Sequence, residues 1–438
     1  MAVYCALYAQ CDPNDDDELL PHSPVDPAQV LFMAQMEIDD DVVLVVQEVL
    51  VVQEMLTVFV IYIGSAENAA GNSSFVEEEN MVMSPLAVRY LLSSIYPSAM
   101  GTTRLEIESQ LKLRKLDPMF VYKVLEEEFL GEAKNLQIAN RVFVDHGVWL
   151  KPIYRKHMRH LQFEQVDFTR ATLAAEIINE WSEEATAGHI HHVIDPDEIH
   201  EDLQMILLNA IHFKSPWRVP FLERRTRKQQ FRMKSGQMVR TDIMIQHPAD
   251  LRYTESQKLN AQIVEIPYAS RFVMWIILPS ASSSLQELID KLSPMDFLEI
   301  NRNFTMKKIS LELPKFSMDT KVDGKTVLEK MGAPSIFRNP DFDIAMNHRS
   351  MVGDVKQRIK LEIDEEGSEM EIVSWMGVLQ RIGIEFPTFH AHRPFMFLIL
   401  TSKSFVPIFL GHMAQPPGEM IQCNILQSSN HFEDFDGC

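Results

Sequence analysis

The residues best suited to chemistry lie in a short segment that contains a single basic side chain. Between Lys360 and Arg393 the only Lys or Arg is Arg381. A trypsin-like protease cleaves after such a side chain, because its acidic primary pocket accommodates a long cationic group. The sequence therefore predicts one accessible cleavage bond, between Arg381 and Ile382, ahead of two apolar runs.

The residues before this bond begin with an acidic turn and then alternate in polarity. The sequence Glu-Glu-Gly-Ser-Glu occupies positions 365–369, and Gly367 lies fourteen residues before Arg381. Alternation is typical of a strand, whose successive side chains point to opposite faces. One face would carry Ser368, Met370, Ile372, Ser374, Met376 and Val378. Glu369 and Glu371 would both lie on the other face, and a shift by one residue would bury them, so the pattern fixes the register.

Five motifs occur in a fixed order along the chain. They are the opening segment 80–86 (Asn-Met-Val-Met-Ser-Pro-Leu), the segment 178–181 with Thr186, Gly188 and Ile190, the segment 208–214 with Trp217, Pro220 and Phe221, the turn 365–369, and the closing segment 409–411. Together these motifs resemble those of the serpins, a family of serine protease inhibitors that carry an exposed loop. The resemblance covers roughly Asn80 to Pro416.

The resemblance implies an α+β fold, with one domain built on a large central β-sheet, surrounding helices and an exposed reactive loop from about Gly367 to Pro387. It implies a suicide substrate and not an enzyme: a trypsin-like serine protease attacks Arg381, and the freed loop inserts into the central sheet. The hinge would be Glu365, Glu366, Gly367, Ser368 and Glu369, and the sheet-opening region would include Ser84, Asn209 and Trp217.

Two departures from the family pattern keep an alternative open. Met370, Glu371 and Ile372 stand where inhibitory members usually carry small residues, and such bulk costs on the order of 1 to 3 kcal/mol if the sheet cannot accommodate it. Gln357 stands where a histidine is frequent. Slow insertion would let the protease complete hydrolysis. The alternative is therefore a non-inhibitory serpin that acts as a carrier or binding protein.

Charge and cysteine placement divide the chain into three regions. Residues 1–79 form an acidic, low-complexity extension, 80–416 the predicted domain, and 417–438 an acidic tail. The net charge of −21 falls almost entirely outside residues 81–416, which hold 42 acidic and 41 basic side chains. That balance disfavours a nucleic-acid partner. The acidic triplet 126–128 disfavours activation by heparin. We expect a monomer, and all four cysteines lie in the terminal regions.

The amino-terminal extension gives an ambiguous signal for secretion. The hexapeptide Val-Leu-Val-Val-Gln-Glu occurs twice, at 43–48 and 49–54, and its Gln-Glu pairs disfavour a membrane span. Residues 55–66 have the length of a signal segment but lack a leading positive charge. The acceptor tripeptides at Asn72 and Asn303 are typical of an extracellular glycoprotein. We expect secretion, although the repeat also fits a defective product.

Other chemistries find less support in the sequence. His189, His191, His192 and His200, with acidic residues at 195, 197 and 198, invite a metal site, but their spacing matches no known zinc motif, and a surface loop is expected. Phosphate-binding loops, dinucleotide motifs and a nucleophile elbow are absent from the sequence. We therefore predict neither a bound metal nor a cofactor.

Periodicity places the motifs on regular elements. Ser84 and Pro85 predict a capped helix through Tyr96, and Thr103 with Glu106 predicts a capping box. Alternation and apolar runs predict strands over 136–144, 203–213 and 355–364, and an amphipathic helix over 173–187. The strand 355–364 would lead directly into the hinge.

Overall fold

The computed structural model describes residues 79–111, 134–148, 162–342, 352–366 and 386–421. Within these ranges the helices are α1 Pro85–Ile95, α2 Gly101–Leu111, α3 Ala171–Ala185, α4 Leu285–Lys291, α5 Pro294–Asn303 and α6 Gly324–Met331. None of the helices in the described ranges is long and apolar enough to cross a membrane.

Strands make up much of the same ranges. In chain order they are β1 Met81–Met83, β2 Leu136–Asp145, β3 Gln162–Val166, β4 Met205–Phe213, β5 Arg227–Arg232, β6 Met238–Ser256, β7 Ala261–Pro267, β8 Phe272–Pro279, β9 Thr305–Pro314, β10 Phe316–Asp323, β11 Asp354–Ile363, β12 Thr388–His390, β13 Phe395–Thr401, β14 Pro407–Met413 and β15 Glu419–Met420. The mixture of helices and strands confirms the predicted α+β class.

In the described part of the chain these strands form two sheets. The five-stranded sheet has the order β10-β11-β4-β2-β3, and the ten-stranded sheet has the path β1-β14-β13-β8-β7-β6-β9-β12, with β5 and β15 both paired to β6. In the five-stranded sheet, β11 is antiparallel to β10 but parallel to β4. The carboxyl ends of β4 and β11 therefore meet at one edge, and the chain leaves β11 there.

The core forms because the inward faces of these elements are almost entirely apolar. Residues of both sheets share one large cluster, which includes Phe213, Trp217, Phe316 and Ile359. Helix α3 covers the other face of the five-stranded sheet, and its Ile178 belongs to a cluster with side chains of β2 and β4. Each buried aliphatic or aromatic side chain contributes roughly 1.5 to 3 kcal/mol relative to exposure.

The opening and closing segments of the domain meet at one end of the ten-stranded sheet. Strand β1 pairs with β14, with Val82 opposite Gly411. A Cβ atom on Gly411 would lie 2.4 Å from Phe397 Cζ and 2.6 Å from the Met81 carbonyl oxygen, so only glycine fits here. Asn80 Oδ1 accepts hydrogen bonds from the amides of Ala414 and Gln415 at 2.8 and 2.9 Å.

Most predicted elements are observed with boundaries that shift by at most two residues, and one capping prediction is wrong. Ser84 caps α1 as predicted, because its Oγ accepts from Ala87 N at 3.3 Å. Helix α2 begins at Gly101, however, and therefore Thr103 lies inside it. Thr103 Oγ1 instead accepts from Asp341 N, and Glu106 accepts from Ser335 N. Both side chains are used to fasten the segment 334–341 to α2.

Candidate reactive loop and its anchors

The predicted cleavage bond and most of the hinge lie outside the described residues. Arg381, Ile382, Gly367, Ser368 and Glu369 belong to the undescribed segment 367–385. The structure does describe the two ends from which this segment starts and returns: Glu365 and Glu366 after β11, and residues 386 and 387 before β12.

The first anchor is held by Trp217, which follows β4. The Trp217 backbone N–H donates to the carbonyl of Glu366 at 3.0 Å, and its indole Nε1 donates to the carbonyl of Asp364 at 2.8 Å. The indole is 1% exposed and stacks on Tyr268, with ring centroids 4.2 Å apart. This arrangement fixes the point where the chain leaves β11.

Buried charge at the same anchor is balanced by hydrogen bonds. Glu365 is 8% exposed and accepts from Lys315 Nζ at 2.6 Å and from Thr226 Oγ1 at 2.7 Å. Burial alone would raise the pKa of Glu365, but these two hydrogen bonds outweigh it and lower the pKa below the usual value. The carboxylate is thus ionised near neutral pH, and it joins the hinge to β9 and β10 through Lys315, the residue between these strands.

Lys214 provides the countercharge for the acidic exit of β11. Its Nζ lies 3.0 Å from Asp364 and 3.2 Å from Glu366. Burial alone would lower the pKa of Lys214, but the hydrogen bonds to these carboxylates raise it. Since Lys214 directly follows β4, this pairing adds a second connection between the ends of β4 and β11.

The second anchor places the returning chain on the ten-stranded sheet. The carbonyl of Pro387 accepts from Ser310 N at 3.0 Å, and β12 continues as a parallel edge strand beside β9. Phe389 is buried, and His390 Nδ1 and His392 Nε2 each lie 2.9 Å from Glu312 Oε2. The undescribed segment therefore connects the carboxyl end of β11 in one sheet to an edge strand of the other.

A buried polar network crosses the boundary between β4 and β11. Gln357 Oε1 accepts from Ser84 N at 2.8 Å, and its Nε2 donates to the Ser84 carbonyl and to Asn209 Oδ1, both at 3.1 Å. Asn209 Nδ2 in turn donates to Asn140 Oδ1 at 2.6 Å. Gln357, a departure from the family pattern, thus satisfies the polar groups of two predicted site residues, Ser84 and Asn209.

The strand directions in the five-stranded sheet determine how a chain that leaves β11 can pair with it. A chain that leaves the carboxyl end of β11 can fold back only antiparallel to it. If that chain entered between β11 and β4, it would replace one parallel pair by two antiparallel pairs, which are slightly more stable per residue. Entry there would break the hydrogen bond between Gln357 and Asn209.

The predicted histidine loop does not form one cluster. His191 pairs with Glu183 at 3.1 Å, His192 pairs with Asp195 at 2.6 Å, and Glu198 binds Lys321 and Lys356 instead. Burial alone would raise the pKa of Glu198, but its hydrogen bonds from the two lysines lower it to about 2.

His189 instead joins two residues that the sequence did not single out. These are His212 of β4 and Glu362 of β11. Burial is the main cause that lowers the pKa of His212 to about 4, and the charge of His189 is the second cause. Sequence reasoning missed this cluster because the alignment of β4 with β11 is a long-range pairing. Strand alternation alone places each side chain on a face, but not beside the other.

Of the two predicted glycosylation sites, only Asn303 lies in the described ranges. It is the last residue of α5 and is exposed. Asn72 lies outside the described residues, as do the acidic triplet 126–128 and the candidate signal segment 55–66.

Comparison with known proteins places these features in a family. A family model described as Serpin (serine protease inhibitor) matches residues 68–416. Serine protease inhibitor 42Dd of Drosophila melanogaster is 30% identical over 351 residues, covering 77% of this chain and 92% of its own length. Human Serpin I2 is 26% identical over 370 residues, covering 81% and 91%.

Solved structures agree with this result. Serpin-12 of Manduca sexta superposes with a TM-score of 0.72 at 25% identity, covering 84% of this chain and 99% of its own. Uncleaved ovalbumin superposes with a TM-score of 0.75 at 24% identity, covering 83% and 99%. The fold is thus that of the serpins. The chain belongs to the serpin family, whose members are mostly protease inhibitors.

Proposed function

We propose that this serpin inhibits a trypsin-like serine protease as a suicide substrate. The protease serine attacks the carbonyl of Arg381, the amide bond to Ile382 breaks with Ile382 leaving as a free amine, and Arg381 remains joined to the protease as an acyl-enzyme. The freed amino-terminal arm then inserts between β11 and β4. The observation that supports this most is the parallel pairing of β4 and β11 directly beside the exit at Glu366. That junction can accept an antiparallel strand, and the alternation after Gly367 supplies one with a buriable face.

In this proposal the sheet-opening residues act before cleavage and the hinge residues act after it. Glu365, Glu366, Gly367, Ser368 and Glu369 turn the chain back on itself after cleavage. Ser84, Asn209 and Trp217 hold the sheet closed until then, since Ser84 and Asn209 share Gln357 and Trp217 fixes the exit.

Incubation with trypsin, followed by a denaturing gel, tests the proposal. We expect a complex that survives denaturation, and mass spectrometry of the nicked fraction should place the cleavage after Arg381. The matched variant Arg381→Gln removes the only basic residue of the loop and should form no complex. Cleavage elsewhere, or a nicked protein with an unchanged melting temperature, would contradict the proposal.

The competing function is a non-inhibitory carrier or binding serpin. The observation that favours it is the bulk of Met370, Glu371 and Ile372 directly after the hinge. In this case trypsin would cleave the chain without forming a complex. Replacing the three residues by alanine distinguishes the two functions, because a gain of complex would show that their bulk slows insertion.

The proposal places the protein outside the cell. Asn303 is exposed and is followed by Phe304 and Thr305, so it can serve as a glycan acceptor on the folded domain. Expression in a secreting eukaryotic cell tests this: we expect protein in the medium with a mobility shift after glycosidase treatment, and Asn303→Gln should reduce the shift. Retention in the cytosol would contradict secretion.

A further inference from the structure

A cluster of metal-binding side chains bridges β4 and β11. The ligand atoms of His189, His212 and Glu362 all lie within 4.8 Å of one another. They come from three different parts of the chain: the loop after α3, β4 and β11. His212 is opposite Lys360 in the parallel register, and Glu362 lies two residues farther along β11.

The most unusual member of this cluster is His212. It is 4% exposed, and within the described part of the chain its Nε2 has no hydrogen-bond partner. Glu362 Oε1 lies 3.7 Å from it, which is too long for a hydrogen bond. A buried polar atom without a hydrogen-bond partner is unfavourable for the folded state. His212 Nε2 is therefore a buried nitrogen that remains available to a ligand.

We propose that His189, His212 and Glu362 bind a zinc-like divalent metal ion that fastens β4 to β11. Two imidazole nitrogens and one carboxylate oxygen form a ligand set that suits zinc, with water in the fourth position. The ion would use the unsatisfied Nε2 of His212. His189 and Glu362 are only partly buried, and the site is therefore accessible from solvent.

Binding requires one local rearrangement. The rings of His189 and His212 are stacked, with centroids 3.6 Å apart and an angle of 10°. Parallel stacked rings cannot both direct an in-plane lone pair at one ion, so His189 must rotate. His189 lies in a loop and directly follows Gly188, which has a positive φ of 82°. The loop residue, and not the strand residue, is therefore the one that moves.

Two lysines near Glu362 lower the affinity of the site for a cation. Lys360 Nζ lies 3.7 Å from Glu362 Oε1, and Lys214 Nζ lies 3.8 Å from Glu362 Oε2. Lys360 Nζ also donates to the carbonyl of His189 at 3.4 Å. An ion at Glu362 would displace Lys360 from the carboxylate, so this lysine weakens binding without serving as a ligand.

The site lies between the two strands that loop insertion would separate, and its coupling to insertion rests on the proposed function. Neighbouring strands lie about 4.8 Å apart, and an added strand between β4 and β11 would increase their separation to about 9.6 Å. The donor atoms of one zinc ion lie within about 4 Å of each other, because each metal bond is about 2.1 Å long. Insertion would move the backbones of His212 and Glu362 apart and place the side chains of the new strand between them. We therefore expect metal binding and insertion to oppose each other.

Calorimetric titration of the intact, full-length protein with zinc chloride tests the site. The four cysteines are alkylated beforehand, so that their thiols do not bind zinc. We expect one ion per chain with micromolar or tighter affinity, and a loss of at least about a hundredfold in His212→Asn and in Glu362→Gln. His191→Asn is the matched control, since His191 lies in the same loop and outside the cluster.

Two further variants make the test specific. Lys360→Gln should tighten zinc binding by about three- to tenfold, because a repelling charge leaves. Glu312→Gln removes the other candidate cluster, with His390 and His392, and should leave the affinity unchanged. If His212→Asn does not fold, Glu362→Gln decides. The proposal is overturned if the intact protein does not bind zinc. It is also overturned if Glu362→Gln binds zinc as tightly as the unchanged protein, or if Glu312→Gln is the variant that loses binding.

The coupling to insertion is measured on trypsin-nicked protein. Thermal melting first establishes whether the arm has inserted, and zinc affinity is then compared with that of the intact chain. We expect inserted protein to bind zinc at least about tenfold more weakly. Equal affinity in the inserted form would overturn the coupling. If the intact chain binds zinc through these residues but nicking does not raise the melting temperature, the site stands and the proposed inhibition fails.

Discussion

At the scale of single residues, Gln357 joins Ser84 to Asn209 across the β4–β11 boundary. Replacing it by alanine leaves Ser84 N and Asn209 Oδ1 unpaired in a buried setting. Each orphaned group costs about 1 to 3 kcal/mol, so we expect Gln357→Ala to lower the free energy of unfolding by at least about 2 kcal/mol. Urea denaturation measures this loss.

A surface glutamine provides the control for this prediction. Gln257 is exposed in the turn between β6 and β7, and Gln257→Ala should change the free energy of unfolding by less than about 0.5 kcal/mol. Equal stability of the two variants would mean that the hydrogen bonds of Gln357 do not hold β4 and β11 together. Gln357→Ala should also insert its loop faster after nicking, because the same contacts oppose separation of the strands.

Trp217 combines packing with two hydrogen bonds at the exit of β11. Trp217→Phe keeps an aromatic ring against Tyr268 but loses the indole donor to the Asp364 carbonyl. One lost hydrogen bond of this kind is worth about 1 kcal/mol. Because the smaller ring also leaves a cavity at a fully buried site, we expect Trp217→Phe to lower the free energy of unfolding by more than about 1 kcal/mol. We also expect faster hydrogen exchange at 364–366, measured by mass spectrometry. Unchanged exchange there would show that the indole does not fix the exit.

At the scale of elements, insertion can be tested by linking the strands that must separate. Ala210 and Arg358 are register partners in β4 and β11. Cysteines at both positions, on strands about 4.8 Å apart, fall within the spacing that a disulfide tolerates. The oxidised double variant should be cleaved by trypsin but should show no rise in melting temperature. Reduction of the same sample should restore the rise, and a rise in oxidised protein would exclude insertion at this junction.

The elements themselves were largely predictable because their signals are local. Alternation over 355–364 predicted β11, and the Ser84-Pro85 pair predicted the start of α1. The capping box at Thr103 failed because its hydroxyl found a partner more than two hundred residues away, at Asp341. His212 and Glu362 were missed for the same reason, since only tertiary pairing brings them together.

At the scale of the whole molecule, the fully buried His412 links stability to pH. His412 lies in β14, and its Nε2 is 2.8 Å from the Glu79 carbonyl. Burial lowers its pKa to about 4, although the hydrogen bond to Glu79 opposes the shift. The unfolded chain, with an ordinary pKa near 6.5, therefore binds a proton between pH 6.5 and 4 that the native protein does not.

This difference sets the sign of the pH dependence. Stability is highest above pH 6.5, falls as the pH drops through the unfolded-state pKa, and levels off for this group near pH 4. The buried imidazole accounts for a loss of about 3 kcal/mol over that range, from 1.36 kcal/mol per pH unit. His412→Gln keeps an amide donor for the Glu79 carbonyl and cannot titrate. Urea unfolding at pH 7 and pH 4.5 should show a smaller acid loss in this variant, whereas equal losses would mean that His412 is protonated in the native protein.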